Sequence, residues 1–274
     1  MILEHSMETV GQHADGKLLA GRIDSIGVVL LNQPEKHNAI SVEMWQGIAA
    51  VLDAFAADDG VRIVVYAGAG GKAFTSGADI SQFAARRDNA AADAEFMQAT
   101  SRGRERLATF PKPSIACVQG YCLGGGLAFA LQADLRVAAE DALFGAPAAR
   151  LGIAYALAPL QRLVRLVGPS RARLMLYTAR RFSAQESLAM GLVDVVAAPD
   201  EVVRQSVALA RTIAENAPLS VASAKFSIDQ IVKDVGERDL AGVAERARRC
   251  MDSADYREGR TAFAQKRDPV FRGV

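Results

Sequence analysis

The sequence predicts an α/β fold from the order of its first three elements. Residues 21–32 and 62–68 are rich in leucine and β-branched side chains and end in turn residues, which is typical of buried strands. Between them, residues 41–58 place apolar side chains at helical spacing after Ser41, a residue type that can cap a helix. A strand, a helix and a strand in that order indicate a parallel pair joined by a right-handed crossover.

Two segments further along share the order strand, glycine turn and helix. Their glycine turns are the glycine-rich residues 68–79 and the triplet at 124–126. The first turn follows the strand described above and precedes a predicted helix over 81–110. The second follows a predicted strand over 114–121 and precedes a short apolar helix over 127–133. The two segments match too poorly in sequence to define a repeat, so only their order relates them.

Helical patterns dominate the chain from Leu160 onward. Residues 201–267 are almost continuously amphipathic, with a break at Ala217 and Pro218. We therefore predict a core over residues 1–200 and a helical region over residues 201–274.

Composition and charge narrow the possible partners. The chain has 274 residues, with 32 Lys and Arg against 31 Asp and Glu. The net charge of +1 lacks the basic surplus that general nucleic-acid binding uses, so we expect no nucleic-acid partner.

The three cysteines form no CxxC pair, which predicts buried thiols rather than a zinc site or disulfides. The chain shows neither a signal-peptide pattern nor ~18 consecutive apolar residues, so we expect a cytoplasmic protein without a membrane segment.

The loop over residues 68–73 has the spacing of a dinucleotide-binding fingerprint, with glycine at 68 and 70 and alanine at 73. That fingerprint opens a helix and is followed by a strand that ends in an acid roughly 20 residues on. Residues 74–79 instead form another turn, so the loop does not favour the alternative of a nucleotide-dependent dehydrogenase. All three histidines lie within the first 37 residues, which excludes the order Ser, acid, His of the hydrolases.

The two glycine turns, at residues 76–79 and 124–126, each lead from a strand toward a helix. Backbone N–H groups at a helix start have no partner within the helix, and glycines let a ligand approach them closely. Two such donors that converge on one oxygen form an oxyanion hole, which needs no titratable side chain. Spacing alone fits two ordinary tight turns equally well.

Six motifs occur in order between about residue 20 and residue 271. They are LNQPEKHNAIS at 31–41, GGKAFTSGADI at 70–80, VQGYCLGGGLAFA at 118–130, FGAPAARLGI at 144–153, TARRFSAQESLAMGLVD at 178–194 and DYREGRTAFAQKRDPVF at 255–271. In this combination the chain resembles the crotonase superfamily, the enoyl-CoA hydratases and isomerases. The resemblance implies a spiral of ββα repeats with a helical C-terminal region that forms homotrimers or homohexamers. It also implies an acyl-CoA thioester as substrate, with coenzyme A as part of that substrate and no permanently bound cofactor or metal.

The resemblance also assigns site residues. It implies that the backbone N–H groups of Ala78 and Gly125 hold the thioester oxygen. The other positions that it places at the CoA ligand are Lys36, His37, Gly77, Asp79, Ile80, Gly124, Phe263 and Lys266. The last two commonly reach the CoA of a neighbouring subunit. Lys36 and Lys266 also fit a solvated surface, and Asp79 also fits a helix cap.

The chain departs from the family pattern at two positions. In the hydratases a glutamate stands two residues after the glycine triplet and another follows the proline of FGxPE, whereas this sequence has Ala128 and Ala148 there. Hydration needs a base and an acid, each worth roughly 10² to 10⁴ in rate, so we expect ordinary hydration to be weak or absent. A different crotonase-type reaction such as decarboxylation, or silent acyl-CoA binding, stays open. Arg150 and Tyr155 are the best candidates for polar groups near the acyl chain, although a salt bridge and a packed ring also explain them.

Overall fold

The computed structural model describes residues 3–78 and 90–274, and the strands of this part form two sheets. The strands are β1 Glu8–His13, β2 Leu18–Ile23, β3 Ile26–Leu31, β4 Ile63–Gly68, β5 Ala73–Thr75, β6 Ser114–Val118, β7 Tyr121–Leu123, β8 Leu135–Ala139, β9 Leu143–Gly145, β10 Phe182–Ser183 and β11 Val195–Ala197. The larger sheet has the order β1-β2-β3-β4-β6-β8-β11, and the smaller sheet has the order β10-β9-β7-β5. Strands β3, β4, β6, β8 and β11 run parallel.

Helices cover the sheets and make up the C-terminal part of the chain. They are α1 Leu3–Ser6, α2 Val42–Ala57, α3 Ala90–Ala108, α4 Gly125–Ala130, α5 Ala148–Leu151, α6 Leu157–Thr178, α7 Ala184–Ala189, α8 Val202–Glu215, α9 Pro218–Ile231, α10 Leu240–Asp252 and α11 Ala254–Gln265. Short 3-10 helices occupy Pro34–Lys36 and Val235–Glu237. Ser41 caps α2, as its position predicts, by accepting a hydrogen bond from the backbone N–H of Met44.

Successive units of two strands and a helix build the core as a spiral. The pairs β4 and β5, β6 and β7, and β8 and β9 each place their first strand in the larger sheet and their second in the smaller one. Helix α4 follows β7 and α5 follows β9, while α3 is the described helix after β5. The two segments that share an order in the sequence are therefore two of these units. The predicted α/β spiral of ββα repeats is confirmed.

An aromatic cluster lies where the two sheets and the helices meet. The ring of Phe129, on α4, lies 5.4 Å from that of Tyr66 and 5.8 Å from those of Trp45 and Phe74, measured between centroids. All four side chains are buried. Edge-to-face aromatic pairs add stability beyond the burial of their surface. The cluster therefore anchors α4, and with it Gly125, to strands of both sheets and to α2.

Two predicted strands are each divided in the structure. The run over 21–32 contains the end of β2 and all of β3, which form an antiparallel hairpin with a turn at Asp24, where φ is 53°. The run over 114–121 divides into β6 and β7 at Gly120, which has φ 61°, and a β-carbon there would overlap the carbonyl oxygen of Lys72. The single-strand predictions were therefore wrong, and in each case a turn residue inside the run marks the division.

The C-terminal region is helical, as predicted, and one of its breaks lies where the sequence predicts it. The break at Ala217 and Pro218 separates α8 from α9, and further breaks precede α10 and α11. Helix α8 packs on β3, β4, β6 and β8. On α9, Lys225 reaches back to the core, where its Nζ donates to Asp134 at 2.7 Å and to the carbonyl of Lys112 at 3.0 Å. The division of the chain at residue 200 stays a prediction. Within the described ranges, every helix is too short or too polar to cross a bilayer.

A buried arginine stabilises the end of the larger sheet. Arg136 on β8 donates to Asp194 at 3.1 Å and to the carbonyls of Leu192 and Ala133 at 2.7 and 2.8 Å. Burial lowers the pKa of its guanidinium, and the charge of Asp194 opposes that shift. The ion pair therefore keeps a charge in the core that would otherwise be costly to bury.

Removing that counter-charge is expected to destabilise the fold. The variant Asp194→Ala leaves the guanidinium buried with carbonyl partners only, so we expect the free energy of unfolding to fall by about 2 kcal/mol or more. Urea unfolding at one fixed protein concentration measures the change. Asp200→Ala, which removes an exposed acid in the turn before α8, is the matched control. Equal stability of the two variants would contradict the prediction.

Candidate active site

Three strands of the smaller sheet bring the candidate site residues to one edge. Strands β5, β7 and β9 are parallel neighbours, so their carboxyl ends lie side by side. Gly77 and Ala78 follow β5, the glycine triplet follows β7, and Ala148 follows β9. The topology therefore assembles segments that are about 50 and 20 residues apart in the chain.

The first two turns touch through their backbones. A β-carbon built on Gly125 would lie 3.3 Å from the backbone nitrogen of Ala78 and 3.1 Å from the Cα of Gly77. One built on Gly77, which has φ 102°, would lie 2.9 Å from the backbone nitrogen of Gly125. A β-carbon on Gly126 would overlap the carbonyl oxygen of Thr75. Glycine is required at positions 77 and 126, whereas a β-carbon at position 125 would need a small shift of the neighbouring turn.

The amides of Ala78 and Gly125 are unused within the described residues. Neither N–H donates a hydrogen bond to residues 3–78 or 90–274. Neighbouring amides are occupied: the N–H of Gly77 donates to Oγ1 of Thr75 at 3.0 Å, and that of Gly124 donates to the carbonyl of Gly145 at 2.8 Å. Gly125 is exposed and Ala78 is partly exposed. The geometry thus leaves two adjacent N–H donors accessible to an external acceptor.

The two alanines each lie close to the turn that the glycine triplet forms. Ala128 is partly buried on α4, where its N–H donates to the carbonyl of Gly124 at 3.0 Å. Ala148 is 9% exposed at the start of α5. A β-carbon on Gly124 would lie 3.8 Å from Cδ of Pro147, the residue before Ala148. Both positions therefore present methyl groups beside the turn rather than carboxylates.

The acids nearest in sequence are engaged or lie on other turns. Asp134 accepts hydrogen bonds from the N–H and hydroxyl of Ser114 at 2.8 and 3.0 Å, and it also pairs with Lys225. Glu140 and Asp141 are exposed between β8 and β9, at the amino end of β9, whereas Ala148 follows its carboxyl end. None of the three replaces a carboxylate at position 128 or 148.

Basic and aromatic side chains flank the first turn. Lys36 and His37 are exposed at the 3-10 helix, and the carbonyl of His37 accepts the N–H of Ser76 at 2.9 Å. The ring of His37 lies 6.1 Å from that of Tyr121, and the guanidinium of Arg181 lies 5.0 Å from the centre of the Tyr121 ring. Lys36 and Arg181 carry positive charge, so this part of the surface is suited to anions although the total charge is close to zero.

Two of the predicted site residues, Phe263 and Lys266, lie at the end of the last helix of the chain. Phe263 is 88% exposed on α11, and Lys266 caps the same helix with φ 53°. Phe263 lines an open cavity of about 520 Å³ with Tyr256 and Phe271, and every lining residue lies between positions 217 and 271. The residues that line this cavity therefore all belong to the C-terminal region, and the glycine turns are not among them. Asp79 and Ile80 lie outside the described residues.

The thiols do not contribute a nucleophile. Cys117 and Cys122 are buried, and burial raises the pKa of Cys117 to about 11 and that of Cys122 further still. Both therefore remain protonated at neutral pH. Cys250 is partly buried in the helical region. Over residues 3–78 and 90–274 no group of three His, Cys, Asp or Glu side chains has metal-binding geometry.

The glycine-rich loop at 68–73 does not lead into a helix. Strand β4 ends at Gly68, and the next element is β5, which begins at Ala73. A dinucleotide fingerprint places a helix start against the pyrophosphate at this point. The geometry of the loop therefore argues against the dehydrogenase alternative.

Comparison with known proteins identifies the family. The family described as enoyl-CoA hydratase/isomerase matches residues 21–274. The chain belongs to this family. Its relatives include a short-chain-enoyl-CoA hydratase of Clostridium acetobutylicum, 34% identical over 88% of this chain and 92% of that protein. A carnitinyl-CoA dehydratase of Salmonella heidelberg is 34% identical over 89% of this chain and 94% of its own.

A solved structure matches the whole enoyl-CoA hydratase/isomerase fold. The crystal structure of an enoyl-CoA hydratase/carnithine racemase from Magnetospirillum magneticum superposes with a TM-score of 0.90 at 31% identity, covering 97% of this chain and 99% of that one. The crotonase fold and superfamily membership predicted from the six motifs are confirmed.

Several residues that shape the site of this enoyl-CoA hydratase/isomerase family member were not singled out for that role in the sequence. Asn38 is fully buried, and its Nδ2 donates to the carbonyls of Ala69 and Ala73 at 2.9 and 2.8 Å, which fixes the loop beside His37. The sequence marks Asn38 only as a turn residue. Arg150 is exposed, whereas Tyr155 is partly buried and reaches the glycine triplet.

Proposed function

We propose that this protein binds an acyl-CoA thioester and polarises its carbonyl through the backbone N–H groups of Ala78 and Gly125. The observation that carries the proposal is the contact between the two glycine turns, which leaves both amides side by side without an acceptor among the described residues. Two preorganised donors stabilise the oxyanion of an enolate, and removing one such donor costs about 10² to 10³ in rate. Family membership supports the choice of a CoA thioester as ligand.

The proposed reaction is not ordinary hydration. The methyl groups of Ala128 and Ala148 supply neither a base for water nor an acid for the α-carbon. The hole stabilises a negatively charged enolate in any reaction that passes through one, so decarboxylation and other enolate chemistry remain compatible with this site. We propose an atypical member of the hydratase/isomerase family with one of these activities.

The experiment that tests the proposal is a survey of turnover and binding. Steady-state assays over short, medium, branched and carboxylated acyl-CoA thioesters are expected to find turnover of at least one. Calorimetry on the same thioesters measures binding independently of turnover. Absence of binding by all of them would contradict the proposed function.

A second candidate function is silent acyl-CoA binding, which the alanines at 128 and 148 favour. A binding or scaffold protein needs the turns that hold the thioester and has no use for carboxylates. This candidate function predicts that the protein binds acyl-CoA thioesters and forms no product from any of them. Robust turnover of one thioester would exclude it.

We propose that the CoA moiety lies along the surface formed by Lys36, His37 and Arg181, where the lysine and the arginine supply positive charge. The backbone link between His37 and Ser76 places this surface next to the turn that carries Ala78. The diphosphate and 3′-phosphate of CoA are the anions that such a surface attracts. Gly77 and Gly124 then line the path of the ligand toward the two amides.

Reversing the charge at Lys36 is expected to weaken CoA binding. For Lys36→Glu we expect the Kd of unacylated CoA to rise about tenfold at low salt and by less at high salt, since exposed charge interactions are screened. Calorimetry at two salt concentrations measures the effect. Arg173→Glu, which reverses the charge of an exposed arginine on α6, is the control and is expected to leave Kd within about twofold. An equal effect of both variants would contradict a specific contact.

We further propose a homotrimer or homohexamer assembled through the C-terminal helices. Large apolar side chains are exposed there in the single chain, among them Ile228, Ile231, Val235 and Leu240. Contiguous exposed apolar surface of this kind is typical of an interface. Phe263 and Lys266 then face the CoA of another subunit. Sedimentation velocity is expected to give three or six times 29.1 kDa, and a monomer at micromolar concentration would contradict the assembly.

A further inference from the structure

The hydroxyl of Tyr155 donates a hydrogen bond of 3.1 Å to the backbone carbonyl of Gly124. Tyr155 lies between α5 and α6, so this bond joins the segment after β9 to the glycine turn after β7. Its ring packs against the hydrophobic core. Burial raises the pKa of the phenol above its ordinary value, so the hydroxyl keeps its proton at neutral and moderately alkaline pH.

The carbonyl of Gly124 and the N–H of Gly125 belong to one planar peptide unit. In a trans unit the two groups point in opposite directions, so a bond that fixes the carbonyl also fixes the direction of the N–H. Gly124 has φ 54° and ψ −113°, a conformation that glycine adopts far more readily than other residues. Because the two glycines have no side chains, the orientation of this unit depends on the hydrogen bonds that it makes.

The same carbonyl accepts a second hydrogen bond. The N–H of Ala128 donates to it at 3.0 Å as the first backbone bond of α4. Two donors occupy both lone pairs of the oxygen. Hydrogen bonds to the oxygen of an amide polarise it and make its N–H a stronger donor. The Gly125 N–H is exposed and has no acceptor among the described residues, so the polarised group is available to a ligand.

We propose that Tyr155 is a positioning residue of the oxyanion hole. Its hydroxyl orients and polarises the peptide unit that joins Gly124 to Gly125, and the N–H of that unit then binds the thioester oxygen. The inference rests on the proposed function, because it requires that this N–H meets an acyl-CoA oxygen. The hydrogen bond from Ala128 is part of α4 and forms because the helix begins there. The hydrogen bond from the phenol belongs to no helix or strand, so its effect is on the conformation of the turn.

The variant Tyr155→Phe keeps the ring and removes only the donor. The probe is 4-(dimethylamino)cinnamoyl-CoA, a push–pull chromophore that absorbs at longer wavelength when its thioester oxygen accepts hydrogen bonds. Titration of the full-length protein gives both Kd and the spectral shift of the bound probe. Tyr177→Phe, which alters an exposed tyrosine on α6, is the matched control. Circular dichroism checks that each variant is folded.

We expect Tyr155→Phe to bind the probe with a Kd within about threefold of the parent and to lose about half of the red shift. For any thioester that the parent turns over, kcat is expected to fall about tenfold at similar KM, as for a weakened donor that acts mainly in the transition state. A full red shift in the variant, or weaker binding with an unchanged shift, would overturn the inference, because Tyr155 would then serve packing alone. Absence of a red shift in the parent would instead contradict the proposed function and remove the premise.

Discussion

Gly125→Pro is expected to lower kcat/KM by about 10² to 10³ and to remove most of the red shift of a bound chromophoric thioester, while Gly125→Ala is expected to retain more of both. Proline is tolerated as the first residue of a helix, the position that Gly125 has in α4, so the helix is expected to form. The substitution removes the N–H that we assign to the thioester oxygen. Loss of one such donor lowers the rate by about 10² to 10³.

The alanine variant tests the effect of added side-chain volume while it keeps the N–H donor. Its β-carbon lies 3.1 Å from the Cα of Gly77 and 3.3 Å from the nitrogen of Ala78, so the first turn has to move slightly to accommodate it. The N–H remains. We therefore expect a smaller loss for alanine than for proline, measured as kcat/KM and as the spectral shift. Unchanged turnover in Gly125→Pro would show that this amide does not meet the substrate.

Introducing glutamate at both alanine positions is expected to create crotonyl-CoA hydration. In Ala128→Glu with Ala148→Glu, the two carboxylates enter beside a turn that already presents the amide donors. Each acid or base group is worth about 10² to 10⁴ in rate, so we expect a gain of at least about 10² over the parent. The parent protein, assayed in parallel, provides the baseline for hydration.

The matched control is the double variant Ala128→Gln with Ala148→Gln, which adds the same volume without proton-transfer groups. It is expected to show no gain. The two single glutamate variants are expected to give less than half of the logarithmic gain each, because groups that act together are not additive. Thermal unfolding of all variants checks the cost of placing a polar side chain at position 148, which is nearly buried. Crotonyl-CoA binding without any gain would mean that the pocket has another shape.

Much of the fold follows from the sequence because the buried strands have clear patterns. β4 and β6 are continuous apolar runs, as parallel strands covered on both faces should be. The short strands β5, β7 and β9 have three residues each, too few for a periodic signal, so the second sheet was not predictable from periodicity. Its existence followed only from the resemblance to a family.

The candidate site was predictable as two turns and as a resemblance, but not as a geometry. The glycine-rich motifs indicate the turns that contain Gly77 and Gly125, and the departures from the family pattern at Ala128 and Ala148 are visible in the motifs. The hydrogen bond from Tyr155 was not predictable, because it joins residues 31 positions apart through a backbone atom that carries no sequence signal. The same is true of Asn38, whose side chain joins two loops within the buried part of the site.

The close contact between the two turns divides the candidate site into positions that tolerate little substitution and positions that can be varied. Positions 77, 125 and 126 admit no side chain without displacing backbone, so nearly every substitution there is expected to cost the amide pair. Positions 128 and 148 already carry side chains and can vary. Saturation libraries at positions 128 and 148 therefore introduce new proton donors and acceptors beside an amide pair that stays unchanged. The protein is for this reason a starting point for directed evolution of enolate chemistry.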